Sequence, residues 1–212
     1  MSTRSYNQYC PLAQALDLLG ERWTLLILRE LLGGPRRYGD LRDALPGVAT
    51  NLLSDRLRRL VAEGLVEQVD VPPPVARTMY RLTDAGWEHV PPVVQVLARF
   101  GLDRLPPAPA EIPALSGFLI GVLLGFDGRR LGQVDEDYRV VIDGRSFDFG
   151  VHPGGLRAAH GEPVVEIRGR ARDLVERRVS AAADVASRIE IQGAAGAAAR
   201  FLSLFGLDVT LE

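Results

Sequence analysis

The sequence predicts an α+β fold whose two halves are organised differently. In the first half, apolar residues recur at every third or fourth position, which is the spacing of amphipathic helices. In the second half, short alternating runs are separated by turn residues such as Asp143-Gly144, which indicates an antiparallel sheet. A proline-rich stretch between the halves is typical of a linker. We therefore predict a first domain at 1–102, a linker at 103–113 and an α+β second domain at 114–212.

The composition is that of a globular protein without a global electrostatic signature. Hydrophobic residues make up 47% of the chain, charged residues make up 25%, and the formal net charge is −2. No lysine occurs, so all 25 basic residues are arginines, which are permanently charged and can bind a phosphate through two hydrogen bonds. Basic and acidic residues also balance within 1–88. Nucleic-acid binding would therefore depend on local clusters, such as Arg36-Arg37 or the arginines at 56, 58 and 59.

Several classes of function lack their sequence signals. The single cysteine, Cys10, excludes an intrachain disulfide and a cysteine zinc cluster. The start of the chain has no signal-peptide pattern, and the longest apolar run, 112–126, is shorter than the roughly 20 residues of a spanning helix. The three histidines have no partner at metal-ligand spacing, and no nucleophile or phosphate-loop motif occurs. We therefore expect a cytoplasmic protein that is not an enzyme and has no cofactor, metal or membrane partner.

The segment 50–64, TNLLSDRLRRLVAEG, predicts an amphipathic helix around which the first domain is organised. Its buried stripe would consist of Leu53, Leu57, Leu60 and Val61. Thr50 or Asn51 can cap its start, and Gly64 can end it. The opposite face is polar and basic. It carries Thr50, Asn51, Ser54, Asp55, Arg58 and Arg59.

The neighbours of this helix predict a winged helix-turn-helix. A short helix at 40–45 and the turn Pro46-Gly47 precede it, and a strand at 65–71 follows it. A strand at 79–82 returns, so that 71–78 is the tip of the hairpin, or wing. In this fold the second helix of the pair lies in the DNA major groove.

The polar face of the long helix therefore predicts contacts with DNA. Thr50, Asn51, Ser54 and Asp55 are candidates for base contact, and Arg58 for a phosphate or a base. Three further arginines are placed to contact backbone phosphates or the minor groove. They are Arg36, Arg37 and Arg77. The alternatives are a solvated helix face, plain surface arginines, and an ion pair of Asp55 with an arginine on the next turn.

The second half predicts a packed or hollow apolar interior. A helix at 115–126 is apolar nearly all round, and its glycines at 117, 121 and 125 allow it to lie tight against the sheet or the DNA-binding domain. Its other side and the aromatic residues of the sheet and the last helix could line a tunnel for an apolar ligand, or form a solid core. These residues are Phe118, Leu119, Val122, Phe126, Phe147, Phe149, Phe201 and Phe205.

The first hundred residues resemble the HxlR-type bacterial transcriptional regulators. The resemblance rests on Cys10-Pro11, Gly20 with Arg22-Trp23, the run LSDRLR at 53–58, the wing prolines, and the pattern Tyr80-x-Leu82-Thr83-x-x-Gly86. It implies a homodimer whose interface is formed by the first and last helices, here 6–18 and 90–102. The family usually has a tryptophan near the end of the last helix, where this chain has Phe100.

The second half resembles a sterol-carrier-type (SCP2-like) domain. The strand pattern, the run RIEIQG at 188–193 and the helix ending in FLSLF at 201–205 carry this resemblance. It implies an apolar tunnel that can hold a lipid-like molecule.

Taken together, these features predict a homodimeric regulator that reads an inverted repeat in double-stranded DNA, with repression as the commoner outcome. A small apolar ligand in the second domain would control it. One alternative is a redox regulator, because the resemblance implies that a cysteine at the position of Cys10 can sense oxidants, and a helix start favours a reactive thiolate. A buried packing thiol is the simpler interpretation. The other alternative is a lipid-binding or interaction protein that uses the winged helix only as a dimer scaffold.

Overall fold

The computed structural model describes residues 5–71, 77–180 and 188–207, with no description of the side chains of Val71, Arg77 and Ser180. The chain divides into two compact units, Met1–Gly86 and Trp87–Glu212. The limits predicted from the sequence, 102 and 113, differ from this division. The structure groups 87–102 with the second unit, where side chains of that segment hydrogen-bond to backbone at 123–126. No helix among the described residues is long and apolar enough to cross a membrane.

The first unit contains the predicted helices and hairpin, with boundaries that differ by a few residues. The helices are α1 (Pro11–Leu19), α2 (Thr24–Leu32), α3 (Tyr38–Ala44) and α4 (Thr50–Ala62), followed by strands β1 (Val66–Val71) and β2 (Arg77–Leu82). Helix α5 (Asp84–Leu102) begins in this unit and continues into the second. The wing tip at 72–76 lies outside the described residues.

Helix α4 is anchored by the predicted leucines. Leu53, Leu57 and Leu60 are fully buried, because their spacing places them on one face of the helix. Val61 was predicted to share this stripe but is 38% exposed, since it lies one position round the helix from Leu60.

The two ends of α4 differ in how well the sequence predicted them. The predicted cap at Thr50 or Asn51 is wrong: both residues are already helical, and Ala49 occupies the N-cap position without a side-chain hydrogen bond. Gly64 follows the helix end with a φ of +72°, a backbone conformation that favours glycine. The predicted end is therefore confirmed.

Strands β1 and β2 form an antiparallel hairpin in which Val66 pairs with Leu82 and Val71 with Arg77. The side chain of Thr83 then starts α5. Its hydroxyl donates to the carbonyl of Gly64 at 2.6 Å and accepts from the amide of Gly86 at 3.0 Å. One side chain thus connects the end of α4 to the first turn of α5, and fixes the hairpin between them.

The second unit packs helices against a five-stranded sheet. A continuous apolar helix starts as α6 (Ala114–Gly117), widens into a π-helical turn (Phe118–Val122) and tightens into a 3₁₀ turn (Leu123–Gly125). We call residues 114–125 the apolar helix. A second 3₁₀ turn (Gly128–Arg130) follows, and the remaining elements are β3 (Glu136–Ile142), β4 (Arg145–His152), β5 (Gly155–Arg157), β6 (Val165–Gly169), α7 (Ala171–Ser180), β7 (Glu190–Gly193) and α8 (Ala195–Leu204).

The sheet has the strand order β5-β4-β3-β6-β7. The prediction of a wholly antiparallel sheet is wrong in one pairing, because β6 runs parallel to β3 while the other three pairings are antiparallel. The segment after β5 carries the chain across the sheet to the free edge of β3, and a crossover of this kind produces a parallel pair. The Asp143-Gly144 hairpin is confirmed. Both residues have positive φ (+48° and +81°), as a type I′ turn requires.

The glycines of the apolar helix lie against α7. A Cβ added to Gly117 would lie 2.7 Å from Ala171, and one added to Gly121 would lie 2.5 Å from Leu174. The prediction of close packing is therefore confirmed, with α7 as the main partner and Ile142 of β3 also 3.4 Å from the Cβ position of Gly117. The spacing of four residues on one helix matches the positions of Ala171, Leu174 and Arg178 on the other.

Candidate DNA-binding surface

The N-terminal half of α4 presents its polar side chains to solvent. Thr50 and Asn51 are exposed, and Ser54 and Asp55 are half-buried. Leu53 and Leu57 of the same helix are buried on the other side. The hydrophobic face therefore fixes the orientation of the helix, and the residues predicted to contact DNA share its solvent-facing side.

Tyr38, at the first position of α3, holds the start of α4 in place. Its hydroxyl donates to the carbonyl oxygen of Thr50 at 2.7 Å and accepts from the Ser54 hydroxyl at 3.3 Å. Ser54 is thus partly engaged within the protein. Sequence reasoning missed Tyr38; an aromatic residue directly after the basic pair Arg36-Arg37 was the available signal.

Asn51 has a different local arrangement. Its side-chain oxygen accepts a hydrogen bond from the amide of Leu52 at 2.9 Å. The bond orients the side-chain amide and leaves its NH₂ group as the donor end. An exposed, oriented amide at the start of a recognition helix is well suited to a base edge.

The arginines of α4 are only partly available for DNA. Arg58 forms an ion pair with Asp55, one of the alternatives predicted for this face, and the Arg58 side chain remains 77% exposed. Arg56 instead pairs with Glu21 at 2.5 Å and donates to the carbonyl of Arg22. Arg56 therefore connects α4 to the loop between α1 and α2.

Arg36 makes its contacts within the first unit, through both its backbone and its side chain. Its backbone exchanges two hydrogen bonds with Tyr80 of β2, at 2.9 and 2.7 Å. Its guanidinium lies 4.0 Å from the carboxylate of Glu30, which is only 4% exposed and also pairs with Arg29 at 2.7 Å. A buried carboxylate needs such partners. Sequence reasoning missed Glu30, although an acidic residue within the apolar run LLILRELL was a signal.

The other two predicted arginines flank the helix pair. Arg37 is half-buried, and its backbone amide donates to the Asp40 carboxylate at 3.1 Å where α3 begins. Arg77 begins β2, but its side chain lies outside the described part of the chain.

Cys10 occupies the N-cap position of α1 and is half-buried. Its side chain makes no capping hydrogen bond. Capping of the helix by a side-chain hydrogen bond therefore does not explain why a cysteine occupies this position.

The phenylalanines for which the sequence left open a tunnel or a solid core pack closely against one another. Phe118 stacks on Phe147 with ring centroids 4.4 Å apart, and Tyr138, which the prediction omitted, packs against Phe201 at 5.0 Å. Six of the eight predicted residues are buried, and Leu119 and Phe126 are half-buried. The buried six are Phe118, Val122, Phe147, Phe149, Phe201 and Phe205. In this structure the interaction of the rings with one another accounts for their burial, as in an ordinary aromatic core.

Residues 18–108 match the family model described as HxlR-like helix-turn-helix. An uncharacterised HTH-type transcriptional regulator of Synechocystis is 40% identical over 108 residues, which are 51% of this chain and 79% of that protein. The chain belongs to the HxlR-like helix-turn-helix family. The matched region of this HxlR-like chain includes α2 to α5, and hence the exposed face of α4.

Two further curated relatives cover the same half of the chain. A regulator of Mycobacterium bovis is 47% identical over 93 residues, 44% of this chain and 58% of its own length. The regulator YodB of Bacillus subtilis is 33% identical over 81 residues, 38% of this chain and 72% of its own length. A crystal structure of reduced YodB, at 28% identity, covers 48% of this chain and all of that one, with a TM-score of 0.41.

Proposed function

We propose that this protein is a sequence-specific DNA-binding regulator that inserts the first turns of α4 into the major groove. The observation that carries the proposal is the exposed polar start of α4. Buried leucines hold the opposite face of the helix, and Tyr38 hydrogen-bonds to its first turn. The family supports it, because its curated members include proteins named as HTH-type transcriptional regulators.

The side chains on this face have distinct roles in the proposed contact. Asn51, with its oriented amide, makes the base contact that carries most sequence preference, since an amide can pair with the adenine edge through two hydrogen bonds. Thr50 adds a hydroxyl and a methyl group at the same level. Arg37 and Arg77 bind phosphates and set the position of the helix.

A homodimer would present two copies of α4 to an inverted repeat with half-sites about one helical turn apart. Two apolar helix faces that are exposed in the single chain support this part of the proposal. On α1 they include Leu12 and Leu16, which are 66% and 40% exposed. On α5 they include Val96 and Phe100, which are 66% and 67% exposed. Exposed apolar groups at helical spacing favour association with another protein surface.

The DNA-binding proposal is tested by fluorescence anisotropy with the protein's own upstream region and with a scrambled duplex of equal composition. We expect preference for the upstream region and an affinity that falls steeply with salt. Asn51→Ala should lose roughly tenfold or more in preference, because a good two-bond base contact contributes about 1–3 kcal/mol of discrimination. Gln68→Ala, which removes an exposed amide from β1, is the matched control and should behave like the wild type. Absence of binding at low salt would refute the proposal.

The dimer is tested separately by light scattering of the 23.1 kDa chain. Phe100→Glu places a charge on the exposed α5 face and should convert a dimer to a monomer. Because Phe100 is already largely exposed in the single chain, the variant should still fold, with a far-UV circular dichroism spectrum like that of wild type. A wild-type monomer at micromolar concentration would contradict this part. Reporter expression with the upstream region then decides between repression and activation.

We further propose that the second unit is the effector domain. The resemblance of its strand pattern to sterol-carrier-type domains supports this, while the packed aromatic cluster indicates that a ligand would bind elsewhere than among those rings. Native mass spectrometry compared with the denatured mass tests it: an adduct lost on denaturation supports the proposal, and the absence of any adduct with every class of probe ligand opposes it.

A further inference from the structure

The second unit has two adjoining surface compartments, one of mixed character and one predominantly polar. The first, of about 350 Å³, is lined by apolar groups that include Trp87, Phe126, Leu131 and the prolines of α5, and by the polar side chains of Glu88 and Gln95. The second, of about 540 Å³, is lined by polar and charged groups. The walls of both compartments include Gln95, Phe126 and Gly128, so the two compartments share a boundary at these residues.

Among the described residues, the walls of the polar compartment hold more arginines than carboxylates. Its walls include four arginines and one aspartate, which are Arg99, Arg129, Arg130, Arg178 and Asp127. The Asp127 carboxylate already has two arginine partners. Arg129 donates to it at 2.8 and 3.0 Å, and the guanidinium of Arg130 lies 3.4 Å from it. Its charge therefore cannot also neutralise the two remaining arginines.

Arg99 and Arg178 have only carbonyl partners among the residues that the structure describes. Arg99 donates to the carbonyl of Leu124 at 3.0 Å. Arg178 donates from the same nitrogen to the carbonyls of Gly121 and Phe205, at 3.0 and 2.6 Å. These bonds cap the ends of the apolar helix and α8, which explains part of their role. The accepting carbonyl oxygens carry only partial negative charges and do not supply a full counter-charge for either guanidinium.

Among the described residues, two observations indicate that Arg178 lacks a full counter-charge. Its Nε is buried and has no hydrogen-bond partner among the described residues. Its pKa is lowered, first by burial and then by the positive charges of Arg177 and Arg99. A desolvated guanidinium beside a second one is costly unless an anion joins them.

We infer that these compartments form a binding site for a small organic anion with an aromatic ring, its carboxylate between Arg99 and Arg178 and its ring against Trp87 and Phe126. Planar carboxylates pair with guanidinium groups through two parallel hydrogen bonds, and proline and tryptophan surfaces accept flat rings. The side chain of Gln95, which donates to the carbonyls of Leu123 and Phe126 at 3.0 and 2.8 Å, holds the boundary between the compartments. The site adjoins the aromatic cluster at Phe126, whose ring centroid lies 5.3 Å from that of Phe205.

The experiment is isothermal titration of the full chain, without DNA, with three probes. Naphthoate carries both features, naphthalenemethanol keeps the ring without the charge, and acetate keeps the charge without the ring. We expect saturable binding of naphthoate at one site per chain and at least tenfold weaker binding of the other two. Absence of saturable naphthoate binding, or equal affinity for all three probes, would overturn the inference.

Variants identify the site. Arg99→Ala should weaken naphthoate at least tenfold, because it removes a charge-assisted contact, and Arg99→Lys should restore part of the loss. Arg104→Ala is the matched control: Arg104 also lies near the end of α5 and donates to a backbone carbonyl, at 2.6 Å from that of Phe100, but it does not line either compartment. Unchanged binding by Arg99→Ala with a wild-type melting curve would refute the assignment. Since no DNA is present, this result is independent of the DNA-binding proposal.

Discussion

Replacing Gly121 by alanine should destabilise the second unit measurably. The added Cβ would lie 2.5 Å from the Cβ of Leu174 and 3.1 Å from its carbonyl carbon and oxygen. Ordinary contact distances for such atoms are 3.4–4 Å. Leu174 is fully buried, and a Cβ or a backbone atom cannot rotate aside as the end of a long side chain can. The apolar helix and α7 must therefore move apart.

The size of the effect follows from two opposing contributions. Overpacking of a well-packed interior costs about 1–3 kcal/mol, and here the upper part of that range applies because the obstacles are rigid. Alanine recovers up to about 1 kcal/mol through its higher helix propensity. The net loss is therefore about 1–2 kcal/mol in the free energy of unfolding, or a fall in melting temperature of roughly 3–10 °C for a unit of this size.

Calorimetry of the full chain measures this change, and Gly101→Ala is its control. Gly101 lies in α5, and a Cβ added there would have no neighbouring atom within 4 Å, so alanine should be neutral or stabilising by up to about 1 kcal/mol. The reasoning fails if Gly121→Ala melts at or above the wild-type temperature while Gly101→Ala behaves as expected. That outcome would mean that the two helices are not packed at the distance described.

Three further outcomes are expected. Thr83→Val should lower the free energy of unfolding, measured by urea denaturation, by about 1–2 kcal/mol, because it removes a helix cap and a hydrogen bond to the end of α4. The control Thr78→Val removes one exposed hydrogen bond to the neighbouring strand and should cost less than half as much. The Asp127 carboxyl should titrate with a pKa of about 2, because the hydrogen bond from Arg129 favours its charged form. Its contribution to stability should be complete above pH 3.8 and disappear as the pH falls through about 2, which carboxyl NMR can follow. Cys10→Ser should keep wild-type DNA affinity under reducing conditions, because the thiol makes no capping hydrogen bond, and an oxidant that weakens the wild type but not this variant would identify Cys10 as a sensor.

Local sequence patterns predicted most of the first unit. The spacing of Leu53, Leu57 and Leu60 determines which face of α4 is buried, and this in turn determines which face is free to meet DNA. Gly64 and Asp143-Gly144 marked their turns correctly, because a positive φ is sterically cheap only for a few residue types. The cap of α4 was misplaced since a helix start can be satisfied without a side-chain oxygen, as at Ala49.

Tertiary structure decided what the same side chains do. Arg36 and Arg37 are adjacent and identical in type, yet only the fold brings Arg36 to the buried Glu30. The phenylalanines of the second half fitted a tunnel or a solid core equally well, and their packing depends on strand order and on the parallel pairing of β6 with β3, which no local pattern encodes. The meeting of Arg99 and Arg178 at one compartment could not be predicted from the sequence either, because α5, the apolar helix, α7 and α8 each contribute to its wall. The spacing of apolar residues along the sequence indicates which side chains are buried. Which side chains they contact depends on packing between elements that are far apart in sequence.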